Sequence, residues 1–146
     1  MSAADLERSP RAAPVVADRP VLRRGLGIAA VAFGVATLFA GGSVLFGGSM
    51  ARARAGDVVE FVLVFNFLAG LGYVAGGVAA IRGKRYALVI ARFLAVATGL
   101  AFVALGAHVA LGGEFEARTL IAMTFRSAFW IAQAVILGRV FARERG

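Results

Sequence analysis

GLGIAAVAFGVATLFAGGSVLFGGSMA, Gly25 to Ala51, runs for 27 residues without a formal charge. A bilayer core about 30 Å thick needs roughly 20 apolar residues at a helical rise of about 1.5 Å each. A single helix from this stretch therefore crosses a membrane with residues to spare. Three further apolar stretches follow, around Phe61–Ile81, Tyr86–Gly113 and Thr119–Gly138. The chain reads as an all-α integral membrane four-helix bundle with short loops. Its spans are expected at about 25–48, 58–81, 86–112 and 119–140. Residues 1–24 are expected to form a flexible cytoplasmic tail and residues 142–146 a basic C-terminal tail.

Composition agrees with that reading. Hydrophobic residues make up 60% of the chain, and the mean hydropathy is +0.84. A soluble domain of 146 residues with this composition has too little polar surface to cover its core. The tail carries Pro10, Pro14 and Pro20 among alanines and mixed charges, so it buries too little apolar surface to fold alone. Arg23 and Arg24 precede an apolar run much longer than the 7–15 residues of an export signal. They are read as the cytoplasmic flank of a retained helix.

The net charge is +8. Arg8, Arg11, Arg19, Arg23 and Arg24, then Arg82, Lys84 and Arg85, then Arg139, Arg143 and Arg145 all fall on one side of a four-span chain. The opposite side holds only Arg52, Arg54 and Arg118. The positive-inside rule then places both termini in the cytoplasm, and the short loops point to a bacterial inner membrane. Contact with lipid headgroups accounts for the basic excess, and no nucleic-acid partner is expected. With no cysteine and one histidine, thiolate metal sites and two-sided histidine haem ligation are excluded. No metal, cofactor or catalytic group is expected.

Glycines form the most regular pattern. Gly27, Gly34, Gly41 and Gly48 repeat every seven residues; Gly70 and Gly77, and Gly99 and Gly106, do the same, and Gly72-x-x-x-Gly76 adds a shorter spacing. Lipid does not drive helices together, so association depends on close packing, which small residues permit. These glycines are read as packing faces of the bundle, with homo-oligomerisation as the alternative. Asn66 shares a helical face with Gly70, Tyr73 and Gly77 and is expected to bond between helices.

A charge at the centre of a membrane helix costs about 2.5–3.5 kcal/mol, so one that is retained faces protein or water. Arg126 lies about seven residues into the fourth span and needs an acidic partner or water. Glu60 is the first candidate for that partner; Glu114, Glu116 and Asp57 are the others. Glu60, His108, Glu114, Glu116 and Arg126 are therefore expected to converge on a polar pocket in the outer half of the bundle. Gln133 and Trp130 extend the polar stripe of the fourth span. Arg92 is read as reaching the inner headgroups.

Three functions fit these residues. The first is a structural, interaction or accessory protein whose partners are membrane lipids, a second copy or another membrane protein. The second is a small proton- or solute-coupled transporter using Glu60 and Arg126. The third is a lipid- or quinone-linked membrane enzyme or redox accessory built on His108, Glu114 and Glu116. Small four-span multidrug exporters place their membrane carboxylate in the first helix. Here the first apolar stretch has no charge, so the likeness ends at size and span count.

Overall fold

The computed structural model describes residues 19–143, all of them in helices or the connections between helices. Of the expected tails, residues 1–18 and 144–146 lie outside the described residues, while residues 19–24 and 142–143 are helical. The elements are α1 Arg19–Phe46, α2 Gly48–Ala55, α3 Glu60–Ile81, α4 Tyr86–Ala110 and α5 Ala117–Arg143. Four of them, α1, α3, α4 and α5, are long and apolar enough to cross a membrane. The chain is accordingly a small multi-pass membrane protein.

Boundaries differ from the sequence reading by more than two residues in three places. α1 starts at Arg19, with Pro20 in its first turn, where the missing N–H breaks no helical bond. The last helix runs through Arg143. The segment after Phe46 holds an additional short helix, α2, where a loop was expected. Gly48 therefore opens α2 rather than ending the packing row of α1.

The long helices alternate in direction, and side-chain size sets their spacing. Along the α1–α3 seam, Gly27 faces Gly77, Gly34 faces Tyr73 and Val74, Gly70 faces Leu38, and Gly41 faces Phe67. The residue numbers rise on one helix as they fall on the other, so the pair is antiparallel. A Cβ on Gly27 would sit 2.7 Å from the Gly77 carbonyl oxygen, and one on Gly77 would sit 2.6 Å from that of Gly27. These helices pack backbone to backbone, which only glycine allows. On the other face of α3, Gly72 meets Leu94 and Gly76 meets Ile90 of α4.

Gly99 and Gly106 behave differently. A Cβ on either would meet nothing within 4 Å. The heptad row of α4 thus faces away from the other described helices, and packing inside the bundle does not account for it.

Two hairpin turns are closed by glycine in the left-handed region. Gly83 has φ +70° and Gly112 has φ +84°. In the first turn, Lys84 N–H donates to Ala79 C=O and Gly83 N–H to Ala80 C=O; in the second, Gly113 N–H donates to His108 C=O and Gly112 N–H to Val109 C=O. Both are Schellman caps that satisfy terminal helix carbonyls.

The interior divides into two apolar clusters. One surrounds Tyr73, Leu94, Trp130, Leu137 and Phe141. Its aromatic rings interlock: Phe33 stacks on Tyr73 at 5.6 Å, and Tyr73 meets Trp130 at 4.8 Å. The other cluster, of Val59, Val62, Leu105 and Met123, fills the end where α2 lies. Large apolar residues such as Phe39, Phe93, Val103 and Ile121 point outward, as expected when the surrounding solvent is lipid.

Candidate functional site

Of the pairs of long helices in contact, α1 and α5 touch least. Two polar side chains of α5 bridge them. Gln133 Nε2 donates to the Leu26 carbonyl at 2.9 Å, and Arg126 Nη2 donates to Thr37 Oγ1 at 3.4 Å. Both follow from the polar stripe of α5: Ser127 and Gln133 are buried and Arg126 is half-buried.

From Arg126 toward α2 the helices part around a cavity of about 620 Å³. Ser43 and Val44 of α1 line it, with Ala51, Arg54 and Ala55 of α2. Val58, Val59, Val62, Leu63 and Asn66 form the α3 wall, and Arg118, Thr119, Ala122 and Arg126 the α5 wall. Three arginines thus line a mostly apolar chamber that, among the described residues, has no aspartate or glutamate in its walls. Arg118 and Arg126 are eight residues apart, about 12 Å along α5.

The arginines are held differently. Arg118 Nη2 donates to the carbonyls of Arg54 and Ala55. It thereby caps the C-terminus of α2, where a cation suits the helix dipole. Arg54 rests its guanidinium on the Met50 sulfur at 3.7 Å. Arg126 also lies over the Phe33 ring, 5.8 Å from its centroid, within cation–π range. The Arg126 Nε and the Asn66 Oδ1 are buried without a hydrogen-bond partner among the described residues.

The residues expected to converge here do not all do so. Glu60 pairs with Arg52 of α2 at 2.6 Å, both half exposed, and Arg126 engages Thr37 and Phe33 instead. The Glu60–Arg126 pairing is therefore corrected: Glu60 opens α3 at the end of the bundle, where the nearer cation takes it. Glu116 lies against Gly56 and accepts the Asp57 backbone N–H at 3.3 Å. His108 Nε2 bonds the Glu114 carbonyl at 3.1 Å, and its ring meets Phe61 in a T-shaped contact at 6.3 Å. His108, Glu114 and Glu116 serve the connections, not the chamber. No group of three or more histidine, aspartate or glutamate side chains able to hold a metal comes together among the described residues.

Arg54 and Arg118 are site residues that sequence reasoning passed over, counting them only in the charge balance. Their place in a cavity depends on α2, which packs on α1 and meets α3 and α5 through Arg52–Glu60 and the Arg118 side chain. Arg92 is exposed on α4, beside a shallow groove with Arg85, Tyr86 and Phe141. No family model, no curated protein and no solved structure matches the chain.

Proposed function

We propose that this small multi-pass protein is an accessory protein of the bacterial inner membrane that holds an amphiphilic molecule between its helices. The cavity between α1, α3 and α5 carries this reading. Its volume lies inside the range of about 300–1,000 Å³ typical of small-molecule sites, and it joins apolar walls to a few fixed polar groups as such sites do. The bias of basic residues supports cytoplasmic termini, with the cavity in the outer half of the bundle.

The coupled-carrier reading loses its main support. It needs a carboxylate facing the chamber, and Glu60 is engaged by Arg52 at the surface. The outward Gly99 and Gly106 favour a further interaction: a helix of a second copy or of another membrane protein can approach α4 closely there.

Filling the chamber tests the main reading. The protein extracted gently from its own membrane is expected to carry a bound small molecule in native mass spectra. Ala122→Phe, which projects a ring into the cavity, is expected to lose that mass while keeping its helicity. A bare wild-type protein, or equal retention by Ala122→Phe, would contradict it.

A further inference from the structure

Arg126 is a half-buried cation with an incomplete set of hydrogen-bond partners among the described residues. Its guanidinium carries five N–H donors, and the described structure gives it one oxygen acceptor, the neutral Thr37 hydroxyl. Its Nε is buried without a partner. The Phe33 ring face offsets part of the charge from one side only. A cation retained this far inside a membrane helix ordinarily faces an anion or water. Of the acidic side chains near the chamber in sequence, Glu60 is held by Arg52 and Glu116 by the Asp57 amide, and neither these nor Asp57 lines the walls.

Two more cations share the lining. Arg54 and Arg118 stand in the walls with Arg126, so the chamber attracts anions. Val59, Val62, Leu63 and Ala122 also line it and suit a hydrocarbon body. At about 620 Å³ the cavity matches a drug-sized molecule; a two-chain phospholipid does not fit within it.

We infer that the chamber binds an amphiphilic organic monocarboxylate, with its carboxylate on Arg126 and its apolar body against Val59, Val62 and Leu63. This rests on the reading of the cavity as an amphiphile site and adds the charge and size of the occupant. The fork of a guanidinium matches the two oxygens of a carboxylate, and such charge-assisted bonds are the strong ones. Asn66, whose Oδ1 is also unpartnered, lines the same wall and orients polar groups beside the carboxylate.

The test uses the full chain in phosphatidylcholine nanodiscs and two photoprobes of matched shape, para-benzoylbenzoate and the neutral para-benzoylbenzyl alcohol. The acid is expected to label peptides spanning residues 58–66 and 118–126, and octanoate is expected to compete. The alcohol is expected to label these segments at least 10-fold less. Arg126→Gln is expected to weaken labelling by the acid about 10- to 100-fold, the cost of losing a hydrogen bond to a charged group. Arg126→Lys, which keeps the charge, is expected to recover part of it. Circular dichroism confirms that each variant keeps its helices.

Equal labelling of the chamber by acid and alcohol, unchanged in Arg126→Gln, would overturn the anion preference while leaving an amphiphile site. Labelling of the chamber by neither probe would overturn both readings. Loss of acid labelling when phosphatidylglycerol is added to the disc would assign the chamber to a two-chain lipid and overturn the single-acid occupant.

Discussion

Gly77→Ala is the sharpest probe of how the bundle is held together. The new Cβ would lie 2.6 Å from the Gly27 oxygen, 2.7 Å from Val31 Cγ2 and 2.8 Å from Val31 N. Ordinary contact begins near 3.4 Å, so α1 must retreat by about 0.8 Å. Backbone atoms on both sides leave no flexible side chain to swing away. A gap of 0.5–1 Å forfeits about a quarter to a half of the dispersion energy of each facing pair, and overpacking costs about 1–3 kcal/mol. Replacing a helical glycine by alanine returns up to about 1 kcal/mol. The net expectation is a loss of up to about 2 kcal/mol. Gly99→Ala is the matched control, because its Cβ meets nothing within 4 Å. It keeps only the propensity gain, so the two variants should differ by about 2 kcal/mol. Reversible unfolding in mixed micelles, followed through the single tryptophan, Trp130, reads the difference. Gly27→Ala combined with Gly77→Ala should cost less than the sum, since one retreat serves both. Equal stability of Gly77→Ala and Gly99→Ala would refute the close-packed seam.

Four other outcomes follow from the same structure. Arg52→Gln and Glu60→Gln should show a coupling of no more than about 1 kcal/mol in a double-mutant cycle, as expected of an exposed pair. Arg126→Leu and Glu60→Gln should be additive, and a measured coupling between them would restore the pairing rejected above. Arg118→Gln removes the cap on the Arg54 and Ala55 carbonyls, so amide exchange across residues 48–55 should accelerate while α3 and α4 stay protected. Reporter fusions within 47–57 and 112–116 should both report the periplasm, and a cytoplasmic signal from either would break the four-span topology.

What was legible in the sequence divides along a physical line. The four spans could be read because a bilayer punishes charge so strongly that long uncharged runs have few other uses. The α1–α3 seam was readable for a similar reason, since the seven-residue glycine rows mark a face that wants close approach. The same rule failed for Gly99 and Gly106, because a row of small residues identifies a face but not whether this chain or a partner fills it. α2 escaped because eight residues with alternating arginine and alanine carry too little periodicity to stand out from a loop. Missing α2 had a further consequence. Without it, Arg52 was not brought beside Glu60, and Arg54 and Arg118 were not brought to the cavity. Depth along a helix follows from counting residues; the identity of a charge's partner depends on how distant segments fold together.

A carboxylate seated on Arg126 brings its carbon within dipolar-coupling range of the guanidinium nitrogens. Magic-angle-spinning NMR of the nanodisc-embedded protein, with carboxyl-labelled octanoate and nitrogen-labelled arginine, measures this contact directly. Direct dipolar coupling between the carboxyl carbon and a guanidinium that disappears in Arg126→Lys is the expected result. Coupling that persists unchanged in Arg126→Lys and vanishes only in Arg54→Lys or Arg118→Lys, or no coupling at all, would rule out a carboxylate on Arg126.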